Sequence, residues 1–218
     1  MSWVKGRVGL CFYGFLIATA VAIVLFQSRK GHINDGIGFP DGFSKLPIHL
    51  HDVKQLVSNI TPNKKYSYWS YTEVLGGYKT IIRFEGDSIL RKRLHIEKSG
   101  NGFFPSTSIS QTYSYVEFID NDTMRFADNE ADFIKFIGRV DNIEEATLIA
   151  KLNDLHPDYE DNRGSCYREN TENYQIYLMS FEKCPESRQS VLATISKSGK
   201  FDARFLEVYQ KSEDCYSH

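Results

Sequence analysis

YSYWSYTEVLGGYKTIIRFE, residues Tyr66 to Glu85, is the stretch whose reading decides the fold. Its two arms alternate with period two, and Gly76-Gly77 sits between them. A glycine pair joining two such runs signals a β-hairpin, because the favoured two-residue turns need positive φ. In the second arm Tyr78, Thr80, Ile82 and Phe84 share one face; Lys79, Arg83 and Glu85 share the other with Ile81. One face is expected to be buried and the other mostly wet, the pattern of an antiparallel sheet.

Upstream of the hairpin, Leu50, Val53, Leu56, Val57 and Ile60 fall on one helical face. Asp52 stands where an N-cap would, and Pro62 stops the helix. Gly31, Gly36, Gly38, Pro40, Gly42 and Pro47 make residues 31–47 read as a Gly/Pro-rich linker without regular structure. Before the linker comes the uncharged apolar run Val8 to Phe26, just long enough to cross a bilayer as a helix. Lys5 and Arg7 precede the run, and Arg29 and Lys30 follow it. Residues 1–30 then read as a single N-terminal transmembrane helix, an uncleaved signal anchor. Cleavage after Ala20 or Ala22 competes with that reading, but would leave Ile23 to Phe26 as an apolar terminus. A lipoprotein signal at Cys11 fits less well, since Leu10 precedes the cysteine and the apolar run follows it.

Downstream, Asp87 or Ser88 caps a short helix through Ile89, Leu90 and Leu94. A Ser/Gly-rich loop spans residues 99–110, a strand runs from about Thr112 to Ile119, and Asn121-Asp122 begins a turn. Asp128 is expected to cap a helix with the stripe Phe133, Phe136, Ile137 and Val140, ended or kinked at Gly138. Asp141 to Glu144 reads as a capping box opening a helix to about Asn153, with Ile143, Ala146, Ile149 and Ala150 on its core face. Tyr174 to Phe181, Val191 to Ile195 and Phe201 to Tyr209 form an antiparallel meander, with a bulge near Phe205 where the pattern shifts. Strands at both ends and helices in the middle predict an α+β domain over residues 48–218, its helices packed on one face of an antiparallel sheet.

Twenty-two basic and 28 acidic residues follow position 30, a net charge of −6 that gives no electrostatic reason to bind nucleic acid. With Cys11 inside the apolar run, Cys166, Cys184 and Cys215 remain. A Cys184–Cys215 disulfide would tie down a C-terminal tail that would otherwise fray, leaving Cys166 as the odd thiol or an alternative partner. Disulfides form in oxidising compartments, so the domain is expected outside the cytoplasm, periplasmic or extracellular, with the N-terminus cytoplasmic. Three unrelated buried thiols would remove that argument.

Phe136-Ile137-Gly138-Arg139-Val140-Asp141, Glu144-Glu145-Ala146, Tyr174, Cys184-Pro185 and the turn Ser198-Gly199-Lys200 lie within the last ninety or so residues. These pieces resemble uncharacterised bacterial cell-envelope proteins, membrane-anchored and periplasmic. The resemblance implies an extracytoplasmic setting and brings no activity, cofactor or site residue with it.

Two clusters have chemistry of interest. His49 and His51 would share a face on a strand and so could hold a metal together, with Asp52 next to them; on a helix they would not. A structural or merely exposed role is the plainer reading, and no third ligand follows from spacing. Asp158, Tyr159, Glu160 and Asp161 gather three carboxylates in a loop that does not match the EF-hand pattern. That loop is expected to be solvated, or to meet a basic partner. No nucleophile elbow or P-loop is present in the sequence. The 13 Tyr and 15 Phe suit strands and also interfaces. The leading expectation is a membrane-tethered domain that binds a protein partner without a cofactor, such as an immunity or inhibitor protein acting at the envelope. A metal-dependent envelope hydrolase using His49 and His51 is the alternative, and an envelope scaffold or assembly factor is another.

Overall fold

The computed structural model describes residues 39–98, 100–106, 109, 111–213 and 215. The run Val8 to Phe26 lies outside them, and no described helix is long and apolar enough to cross a membrane. The strands and helices from residue 42 onward belong to one compact unit.

Two antiparallel sheets form, where the sequence suggests one. The first has the order β1 (Ser44–Lys45), β6 (Cys166–Glu169), β7 (Asn173–Lys183), β8 (Glu186–Ser196), β9 (Phe201–Lys211). The second has the order β3 (Tyr78–Gly86), β2 (Tyr68–Leu75), β4 (Tyr113–Asp120), β5 (Thr123–Ala127). Among the described residues four α-helices complete the fold: α1 (Val53–Val57), α2 (Ser88–Leu94), α3 (Glu130–Ile137) and α4 (Ile143–Leu152). Inward residues of both sheets, among them Trp69, Tyr71, Val116, Ile176 and Val191, share one core with α1, α3 and α4.

β1 falls inside the stretch expected to be an irregular linker. Ser44 pairs with Tyr167 and Lys45 with Cys166, and Leu46 behind them is 1% exposed. Two residues cannot display a period, which is why glycine and proline dominate the reading there. The expected helix after residue 50 is also shorter. A 3-10 turn over Ile48–His51 comes first, and α1 starts only after Asp52, whose side chain accepts from the Lys54 amide at 2.9 Å.

The hairpin forms with Gly76-Gly77 at its turn. Its expected one-sided burial does not hold. β2 is buried on both faces, because α2 and the chain after it lie across the side away from the main core. Leu90 and Leu94 pack on Tyr68, Ile119 and Met124, while Gly100 and Gly102 abut Tyr113 and Ser114. β3, at the sheet edge, is largely exposed. A bulge at Ile82 lets Tyr71 face Arg83 and Thr72 face Ile81. That extra residue splits the expected polar face: Lys79 and Ile81 lie on the α2 side, Arg83 and Glu85 on the other.

Caps set the later helices. Asp87 accepts from the amides of Ile89 and Leu90. Asn129, one residue later than expected, caps α3, and Gly138 follows it at φ 77°. The box that opens α4 is likewise shifted by one. Asn142 accepts from the Glu145 amide at 2.8 Å, and Glu145 reaches back to the Asp141 amide at 2.8 Å. α4 is buried nearly all round, with Glu145, Thr147 and Lys151 enclosed besides its apolar stripe. Strands β5 and β6 are too short to be read from period alone. The meander β7–β8–β9 is as expected, and a register shift between Val191–Phe205 and Gln189–Val208 places the bulge just after Phe205.

Candidate functional site

The acidic loop after α4, expected to be solvated, is built into the first sheet, with Asp158 buried. His156 exchanges backbone hydrogen bonds with Met179, at 2.9 and 2.7 Å, so the loop starts on the edge of β7. It then turns over β8 and β9. Gly164 permits this, since a Cβ there would lie 2.8 Å from the Asp158 Cβ and 3.3 Å from the Tyr209 hydroxyl.

Asp158 is 4% exposed, and its Oδ2 accepts from Tyr209 Oη at 2.6 Å and Arg188 Nη1 at 3.2 Å. The same Arg188 nitrogen donates to Glu160 Oε2 at 2.8 Å. Arg163 forks onto Asp161 at 2.9 and 2.7 Å, and its guanidinium lies 4.8 Å from the centre of the Tyr209 ring. Ser190 Oγ donates to the Arg163 carbonyl at 2.6 Å. Opposed charges held this close favour their ionised forms. Arg163 therefore lowers the Asp161 carboxyl below its usual range, and Glu160, followed by Asp158, raises Arg188. Burial, reinforced by Asp158, raises the Tyr209 phenol.

Of the four residues read as partner-binding, Asp158 and Asp161 are thus occupied inside the fold. Tyr159 points elsewhere, its hydroxyl donating to the Pro47 carbonyl at 3.0 Å and its ring meeting His51 edge-on at 5.6 Å. Glu160 is the exposed member, with its side chain 80% accessible. Arg188 and Tyr209, which complete this clasp, sit on strands where sequence alone makes them ordinary face residues. No local signal marks them.

The clasp steadies an open sheet edge. Among the described residues β9 pairs only with β8. Its Phe205 and Val208 are 58% and 52% exposed. The disulfide Cys184–Cys215 joins the turn between β7 and β8 to the chain just past β9. A cleft of about 310 Å³ lies at this end, lined by Glu182, Cys184, Pro185, Ser187, Val208 and Lys211. Clasp and disulfide therefore both engage the C-terminal end of β9, while among the described residues its outer edge has no strand partner. Cys166, the remaining described thiol, is buried in β6, and burial pushes it up to about 12. A thiol held that high forms little thiolate and is a poor nucleophile.

His49 and His51 lie in the 3-10 turn, where residues two apart point in different directions. His49 Nε2 is 3.0 Å from Glu144 Oε1, whereas His51 meets Tyr159. Among the described residues no group of three or more His, Cys, Asp or Glu is placed to hold a metal ion. The structure does gather other titratable groups near His51. Lys151 is 6% exposed and His156 is half-buried. Burial lowers both, with Asp52 opposing the effect at Lys151 and Lys151 adding to it at His156. No family model, curated protein or solved structure matches the chain.

Proposed function

We propose that this chain is a membrane-tethered, extracytoplasmic protein-binding domain whose partner docks on the open edge of β9. The observation that supports it best is the combination at that edge: an eleven-residue strand with one side unpaired among the described residues, two exposed apolar side chains, and bracing by a disulfide and a buried polar clasp. An edge strand offers unpaired backbone groups to an incoming strand, and alternate side chains give the pairing its specificity. Bracing lowers the ordering cost that binding would otherwise carry. An immunity or inhibitor protein at the envelope is a role of this kind: it must present a preformed surface and needs no chemistry of its own. The tether comes from the apolar run Val8 to Phe26, and the compartment from the cysteine pair.

Co-purification of the tagged full chain from detergent-solubilised membranes tests the reading. A stoichiometric protein partner is expected, and Phe205→Arg with Val208→Glu should remove it while the disulfide still forms. Repeated recovery of the chain alone, or a partner indifferent to both substitutions, would overturn it.

A further inference from the structure

α2 has two unlike sides. Leu90 and Leu94 face inward onto Tyr68, Ile119 and Met124, and Arg91 Nε donates to the buried Glu117 at 2.7 Å. The helical period then turns Ile89, Lys92 and Arg93 outward, and Ile96 follows in the chain just beyond. Ile89 is 73% exposed and Ile96 is 54% exposed. Phe84 and Ile81 of β3, also exposed, pair with Ser70 and Thr72 and so lie on the sheet face that α2 covers. Phe84 stacks on Tyr68, against which Leu90 and Leu94 pack, and Glu97, next to Ile96, reaches Lys79 of β3, so these exposed apolar residues sit on the side of the sheet where α2 lies, whereas such residues are ordinarily scattered singly.

The charges at this surface run against those of the whole domain. Residues 78–98 hold six Lys or Arg and three Asp or Glu, inside a region whose net charge is −6, although Arg91 and Lys98 are paired with Glu117 and Asp128 outside that stretch. The three acids are all engaged. Asp87 caps α2, and Glu85 pairs with Arg83. Glu97 lies between Lys79 Nζ at 2.6 Å and His95 Nε2 at 3.0 Å. Lys92 and Arg93 are exposed and have no hydrogen-bond or ion-pair partner among the described residues. Two uncompensated cations set among aliphatic side chains are complementary to an anionic surface with an apolar interior.

We propose that the α2–β3 face rests on the surface of an anionic phospholipid bilayer. In this arrangement Ile89, Ile96 and Phe84 enter the boundary between headgroups and acyl chains, and Lys92 and Arg93 meet lipid phosphates. The inference rests on residues 8–26 acting as an anchor, which brings the domain within reach of the lipid. It adds a second contact that would fix how the tethered domain faces. A fluid lipid surface supplies phosphates wherever the two flexible cations reach. An acidic protein would instead need carboxylates fixed opposite both of them.

The test uses the full chain in nanodiscs, of phosphatidylcholine alone or with about one third phosphatidylglycerol, with brominated acyl chains as the quencher. Ile89→Trp reports depth, after subtraction of the parent signal from Trp3 and Trp69. Quenching is expected in the anionic discs, with the ratio of docked to undocked domain falling by about thirtyfold when Lys92→Gln and Arg93→Gln are combined. Equal quenching in both lipids, or none in either, overturns the proposal, and an acidic protein partner would then be the better occupant. Failure of the chain to enter discs at all overturns the anchor instead. In that event, co-sedimentation of the chain with anionic vesicles supports the α2–β3 contact if retained and overturns it if lost.

Discussion

The Tyr209 hydroxyl donates to Asp158 Oδ2 at 2.6 Å, joining two residues 51 positions apart and closing the acidic loop over β9. Tyr209→Phe removes that donor but leaves Asp158 paired with Arg188. A loss of about 1.5–3 kcal/mol is expected, the net worth of one hydrogen bond to a charged group. Asp158→Ala strips the clasp of its shared acceptor, leaving the Tyr209 hydroxyl unpaired and Arg188 with Glu160 alone, so a larger loss of about 3 kcal/mol or more is expected from two hydrogen bonds to a carboxylate. Denaturant unfolding followed through tryptophan fluorescence measures both. Little loss from either variant would show that the Tyr209 ring, which phenylalanine retains, and not the hydrogen bond, holds the loop.

The tyrosines set an alkaline limit on stability. Burial raises the phenols of Tyr71, Tyr174 and Tyr209, and lifts Tyr159 to about 12. In the unfolded chain a phenol titrates near about 10. Because the folded values are the higher ones, the stabilisation is fully present below pH 10 and is lost as pH rises through them. Stability should therefore be flat on this account up to about pH 10 and fall steeply above it. Absorbance at 295 nm should show these phenols ionising together with loss of structure. Gradual ionisation with the fold intact would contradict the burial argument.

How much of this was legible in the sequence depends on how local each signal is. The Gly76-Gly77 hairpin, the caps at Asp52 and Asp87 and the bulge after Phe205 are written in neighbouring residues, and each is found. The Cys184–Cys215 pair follows from there being few cysteines to choose among. What failed to show is long-range. β2 alternates like a one-sided strand, and only the placement of α2 across its second face explains why Ser70 and Thr72 are as buried as Trp69 and Tyr71. The acidic loop has the composition of a solvated loop because the residues that neutralise it, Arg188 and Tyr209, arrive from β8 and β9. The histidine pair illustrates the converse: proximity in sequence suggested a shared ligand, and the 3-10 turn sends His49 to Glu144 and His51 to Tyr159.

Cys184→Ser with Cys215→Ser should release the chain past β9 without dissolving the sheet. The two cysteines are 31 residues apart, and a cross-link closing such a loop contributes at most about 3.7 kcal/mol on the chain-entropy account. The meander inside that loop keeps its own strand pairing, so the expected loss is smaller, about 1–3 kcal/mol, with amide exchange accelerated most at the end of β9. In the parent protein Cys166 should stay unreactive toward thiol reagents until denaturant is added. Mass spectrometry of the unreduced protein showing free thiols at both Cys184 and Cys215 would remove the disulfide and, with it, the case for an oxidising compartment.

Arg91 and Glu117 provide the sharpest test of how α2 is seated. Glu117 is 1% exposed at the centre of the sheet face beneath α2, where its Oε1 accepts from Arg91 Nε at 2.7 Å and from Ser70 Oγ at 3.1 Å. Removing the arginine alone leaves a carboxylate buried without its cation, a change that costs about 3–5 kcal/mol. Replacing both residues with well-packed apolar ones is often neutral, since the desolvation of two charges is avoided. Arg91→Met should therefore destabilise strongly, and Arg91→Met with Glu117→Leu should recover most of that loss in a thermal or denaturant melt. If the double variant is stable but the Ile89→Trp reporter no longer responds to anionic lipid, the ion pair serves chiefly to fix the orientation of α2. If the single and double variants are equally damaged, Arg91 contributes through the packing of its aliphatic stem, not through its charge.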